Sequence, residues 1–129
     1  MSAIQTLVRD TEADVADFQN PDIVARISNV LNLEVERAQL LFEDVKRFLK
    51  LCSVTDRDME ATNIIDDGWH EFLLFSKEYQ DFCAEYLGGF VHHRPWIQIT
   101  DRCTAETIDA DTTRRMAEER FGPLSENWR

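Results

Sequence analysis

Asp66, His70 and His93 are the residue types from which a mononuclear transition-metal centre is built. A carboxylate and an imidazole four positions apart stack one turn apart on a single helical face, which supplies two ligands from one element. A third ligand must then arrive from elsewhere in the chain, and His93 is the candidate, with Cys83 and His92 in reserve. Carboxylate and imidazole donors suit Zn, Fe(II) or Mn. The plainer reading of the same residues is a structural network, in which an aspartate accepts from a histidine and that histidine bonds a loop carbonyl, and it carries more weight. Cys83 could act as a nucleophile only with His70 or His93 within hydrogen-bond reach and with access to substrate. On a helical face shared with Tyr79, Phe82 and Tyr86, a buried inert thiol is the stronger expectation. No phosphate-cradling glycine loop, Ser-His-Asp order or pair of catalytic carboxylates stands out.

These residues need a frame that brings positions 66 and 93 together. The spacing of Ile65, Trp69, Phe72 and Leu73 predicts a helix from Asn63, with Asp66 and His70 half-buried at its rim. Ser76 caps a second helix that carries Tyr79, Phe82, Cys83 and Tyr86 inward, and Gly88-Gly89 stops it. A turn this short makes the pair an antiparallel hairpin, so Val91, His92 and His93 return toward Asp66. Upstream, Asn20 and Pro21 open a short helix with Ile23, Val24, Ile27, Val30 and Leu31 on one face. Asn32 caps the central core helix, whose stripe runs through Ala38, Leu41, Phe42, Val45, Phe48, Leu49 and Cys52. Its charges (Glu34, Glu36, Glu43 and Asp44 against Arg37, Lys46, Arg47 and Lys50) read as a solvated outer face, with Glu43 and Arg47 paired four apart. Ile4, Leu7, Val8, Val15 and Phe18 also return to one helical face. Ser53 to Thr62 is a connection, Trp96 to Ile99 a brief extended segment, and Asp111 to Arg120 a last helix before a tail ending in Trp128. The expected fold is an all-α, compact single-domain bundle of about five helices over residues 1–129, with the hairpin at its centre.

Composition bounds the function. In 129 residues, 43% apolar content fills one core, and 30% charged residues with 4 Gly and 3 Pro argue against disorder and against an all-β chain. With 25 acids against 14 bases the net charge is −11, which repels nucleic-acid and anionic-lipid phosphates and favours a basic partner. The excess concentrates at residues 53–75, where Asp56, Asp58, Glu60, Asp66, Asp67 and Glu71 face Arg57 alone. Cys52, Cys83 and Cys103 are widely spaced and odd in number, so reduced thiols are expected. Without a signal-peptide pattern or a membrane-length apolar run, a cytosolic location is expected.

The stretches KRFLKL (46–51) and IDDGWHEFLLFSKEYQDFCAEYLGGFVHHRP (65–95) resemble the glycine-rich domain-containing protein-like family, in a short form lacking the glycine-rich part. The resemblance lies in Phe48-Leu49, Asp66 three before Trp69-His70, Tyr79, Phe82-Cys83, and His93 before Pro95, and it extends to TTRRMAEERFGPLSENW (112–128). It covers about residues 45–128, whereas DRDMEAT (56–62) departs from the proline-serine opening associated with that family. The resemblance implies a fold, not a reaction.

The leading functional expectation is a noncatalytic interaction module. It would bind a basic protein partner through Asp56, Asp58, Asp67 and Glu71 and a pocket walled by Trp69 and Trp96. The first alternative is a metal-binding protein or metal-dependent enzyme on Asp66, His70 and His93. The second is an acidic mimic of nucleic acid that inhibits a nucleic-acid-binding protein.

Overall fold

The computed structural model describes residues 10–55, 57–93 and 107–129. Among these, five α-helices follow one another: α1 (Pro21–Leu31), α2 (Val35–Ser53), α3 (Asn63–Leu73), α4 (Ser76–Phe82), continued by a π-helical turn Cys83–Leu87, and α5 (Ala110–Phe121). Short 3-10 turns at Val15–Asp17 and Glu126–Trp128 flank them. The expected all-α bundle is what forms.

The helix starts follow their caps. Asn20 accepts from the backbone N–H of Asp22 and Ile23 ahead of Pro21. Thr62 accepts from Ile65 N and Asp109 from Thr112 N, opening α3 and α5. At two positions the cap differs from the sequence reading. Asn32 does not open α2 but closes α1 in the left-handed region, φ 55°, which asparagine tolerates better than most residues. Ser76 is the first helical residue of α4, behind Phe75, with no side-chain cap. What stabilises α2 without a side-chain cap is burial: Ala38, Leu41, Phe42, Val45, Phe48 and Leu49 are all 0–1% exposed.

That helix also corrects the expected solvated face, because Asp44, Lys46 and Lys50 are buried. Lys46 Nζ donates to Phe18 O (2.7 Å), pairs with Glu43 (2.9 Å) and lies over the Phe42 ring. Burial holds its ammonium below the usual lysine value, opposed by Glu43. Lys50 Nζ donates to the carbonyl and hydroxyl of Thr11 (2.9 and 3.0 Å) and to Tyr86 O (3.3 Å). Arg47 does not pair with Glu43 and instead covers the Phe121 ring.

The helix expected from Ile4 to Phe18 is not formed where it is described. Residues 10–14 are irregular and only Val15–Asp17 turn. The two buried ammonium groups need acceptors, and main-chain carbonyls at 11 and 18 supply them. Residues 4, 7 and 8 of that stretch, and the extended segment expected at 96–99, lie outside the described residues.

Two long-range ties had no counterpart in the sequence reading. Met59 and Ile108 form an isolated parallel bridge, with Glu60 N donating to Ile108 O and Ile108 N to Asp58 O, both at 2.8 Å. The tail after α5 folds back, so that Trp128 joins the core.

Candidate functional site

The hairpin expectation is met in its main geometric consequence. α3 and α4 are separated by Leu74 and Phe75, and the chain after Gly88 returns to α3. Gly88 itself takes φ 73°, where a left-handed residue ends a helix and glycine adopts it without a Cβ penalty. His93 Nε2 then lies 2.8 Å from Asp66 Oδ1, across 27 positions of sequence.

The returning segment is held by a chain of polar contacts. Trp69 Nε1 donates to Tyr79 Oη at 3.1 Å, and Tyr79 Oη donates to Val91 O. His93 presents its ring to Trp69, centroids 4.5 Å apart at 71°, the edge-to-face arrangement aromatic rings prefer. Cys83 is buried beside Tyr79 and the Val91 backbone. Asp66, Trp69, Tyr79 and His93 therefore form one network that pins residues 90–93 against α3. This is the arrangement in which a buried indole and a phenol satisfy their polar ends.

His70 stands apart from it. Expected half-buried, its side chain is exposed, and its ring lies 6.4 Å from that of His93. As placed, Asp66 and His93 occupy each other. No group of three or more His, Cys, Asp or Glu among the described residues is disposed to hold a metal ion. The thiol of Cys83 and the phenol of Tyr79 are both pushed up from their ordinary values by burial, so neither is activated toward nucleophilic attack.

The remaining candidates divide sharply. Asp67 is exposed on α3, and its carboxyl is pushed up by partial desolvation and by the neighbouring Asp66 charge. Glu71, expected on the docking face, is instead buried and accepts from Arg26 Nε at 3.0 Å, because its position turns toward α1. Asp58 is half-buried, its carbonyl accepting from Ile108. Asp56 and Trp96 lie outside the described residues. Phe90 and His92, both exposed, meet edge to face at 4.7 Å, and Phe90 packs edge-on against Tyr79 at 5.2 Å. Sequence reading passed over Phe90, whose signal was an aromatic directly after a helix-stopping glycine pair. Asp67, His70 and Leu74, all exposed, fall at i, i+3 and i+7 along α3 and the residue that closes it.

This division gives an expected result. His70→Ala should change folding stability by less than about 0.5 kcal/mol, as for an exposed side chain. Asp66→Ala and His93→Ala, measured singly and together in urea, should show a coupling of about 0.5–1 kcal/mol, discounted because Asp66 is 43% exposed. Additive losses would mean that the 2.8 Å contact contributes nothing to holding the segment.

The sequence model of the UCP032817-like family matches residues 12–117. This overturns the resemblance to the glycine-rich domain-containing protein-like family. The resemblance was read over about residues 45–128, whereas the family match begins upstream of α1 and takes in α1 and α2 as well as the hairpin. Neither a curated protein nor a solved structure matches the chain.

Proposed function

We propose that this chain, which belongs to the UCP032817-like family, is a noncatalytic helical interaction module that binds a basic segment of a protein partner. The observation that carries the reading is the contrast around α3. Two groups capable of covalent chemistry, Cys83 and Tyr79, are buried, and burial pushes both upward from their ordinary values. By contrast Asp67, His70 and Leu74 are exposed along α3 and just past its end, and exposed Phe90 and His92 meet edge to face on the segment whose His93 returns to Asp66. Acid interspersed with aromatic and aliphatic groups is the composition that recognises a cationic, partly apolar peptide. The net charge of −11 adds long-range attraction for such a partner. No helix among the described residues is long and apolar enough to cross a membrane.

The test uses Asp67→Lys combined with Phe90→Ala. Both side chains are exposed, so the fold should survive, as circular dichroism would verify. Affinity capture from a lysate of the source cells should yield a basic partner that the wild-type chain retains, that high salt releases, and that the double variant loses. Equal retention by both chains ends this reading.

A mononuclear metal protein on Asp66, His70 and His93 is the second reading. Its support is the 2.8 Å approach of Asp66 Oδ1 to His93 Nε2, not far below the roughly 3.3 Å between neighbouring ligand atoms on a tetrahedral zinc. It requires stoichiometric metal in untagged protein that survives dialysis and is lost in His70→Ala. Absence of both would dismiss it.

A further inference from the structure

The segment after α5 is fastened by polar groups that the candidate site does not use. Gly122 adopts φ 85° and ψ −155°, and Pro123 follows, so the chain leaves α5 sharply and runs back over α2 and α3. Ser125 Oγ and Asn127 Nδ2 both donate to the same oxygen of Asp44, Oδ2, at 2.6 and 2.9 Å. Thr62 Oγ1 donates to Asn127 O at 2.6 Å, and Trp128 beyond it is buried.

Asp44 is fully buried, and among the described residues its second oxygen, Oδ1, has no hydrogen-bond partner, nor has Trp128 Nε1. No ion pair to Asp44 occurs among the described residues. A buried carboxylate served by two neutral donors on one oxygen is poorly matched, because its charge and its second oxygen both remain uncompensated. The ligand that matches it is a guanidinium, planar and cationic, with paired donors for both oxygens. Thr62, the cap of α3, holds the tail at Asn127 O beside this carboxylate.

We infer that the slot floored by Asp44 is a docking site for an arginine-bearing segment of a protein partner, and that residues Ser125–Trp128 occupy it as a built-in competitor. This rests on the reading of the partner as basic. The tail covers Asp44 in the closed form, so a guest must displace it. Apparent affinity is then the intrinsic affinity multiplied by the fraction of molecules in which the tail is unseated.

The experiment uses the full chain and a fluorescein-labelled probe peptide, Pro-Leu-Arg-Glu-Asn-Trp, which is the tail with arginine in place of its serine. Ser125→Ala with Asn127→Ala loosens the tail without touching the slot. By fluorescence anisotropy, the probe should bind this variant at least about tenfold more tightly than wild type. Adding Asp44→Asn should abolish that binding, and a lysine version of the probe should bind more weakly. No saturable binding to the loosened variant, or equal affinity in both chains, overturns the inference. If the variant fails to fold, hydrogen exchange on the wild-type chain decides. Amides of 124–129 should exchange faster than those of the α2 core and faster still with probe present, and tail amides as slow as α2 overturn it. Failure here with the Asp67 and Phe90 capture test still positive would remove the slot and leave the acidic module standing.

Discussion

Trp128→Ala is expected to lower folding stability by about 3–5 kcal/mol, the cost of truncating a large aromatic side chain inside a core. Trp128 is 3% exposed and belongs to the same apolar cluster as Phe42, Trp69 and Phe72, although it sits at the end of the chain. Its indole nitrogen has no partner among the described residues, so the loss is one of packing and cavity formation, not of a hydrogen bond. A domain of this size has roughly 5–15 kcal/mol to lose, so the variant should be marginal. Urea unfolding at unchanged slope would read the effect as a midpoint lowered by roughly 1.5–3 M. A change below about 1 kcal/mol would show that the tail lies on the core without being part of it.

Gly68 carries the second large expectation. A β carbon there would meet Val45 Cγ2 at 2.9 Å and Leu41 Cγ at 3.1 Å, so this glycine is what lets α3 approach α2. Gly68→Ala gains about 1 kcal/mol in helix propensity but incurs an overpacking cost of about 1–3 kcal/mol. A net loss of up to about 2 kcal/mol follows from these terms, and Gly68→Val, whose branches enter the same crossing, should lose more than about 3 kcal/mol. The diagnostic measurement is Val45→Ala in the Gly68→Ala background. Removing the methyl that the new β carbon strikes should make the pair more stable than the two losses predict, by about 1 kcal/mol. Additivity, or a Gly68→Ala chain more stable than wild type, would mean the helices separate freely. Because α3 carries Asp66, Trp69 and His70, its seating on α2 also sets where the candidate site sits.

Local chemistry was the part of this fold open to sequence reading. Asn20-Pro21 announces α1, the apolar stripe announces α2, and the glycine pair after α4 implies the return that brings His93 to Asp66. What escaped depends on groups distant in sequence. Lys46 and Lys50 look like surface charges by spacing, but their ammonium groups are buried because carbonyls 28 and 39 positions upstream receive them. Those same bonds hold residues 11 and 18 in irregular chain, so the periodicity around them did not become a helix. Glu71 went inward for a similar reason, its partner Arg26 lying 45 positions away. The Asp44 anchor of the tail spans more than 80 positions and leaves no periodic trace. His70 and His93 are both imidazoles near Asp66, but only the position of the returning chain decides which one meets it.

The widened π-helical turn at Cys83–Leu87 has a consequence for how the chain tolerates insertion and deletion. Its Tyr86 carbonyl, one of the terminal acceptors that a helix cannot satisfy internally, receives the hydroxyl of Thr11 at 2.6 Å and the ammonium of Lys50. Removing one residue here would restore ordinary α-helical winding while swinging that acceptor about 100° around the axis. The start of the chain would lose its clasp, although no contacting side chain had been altered. The length of this turn therefore sets the aim of its acceptor, independently of the side chains it carries.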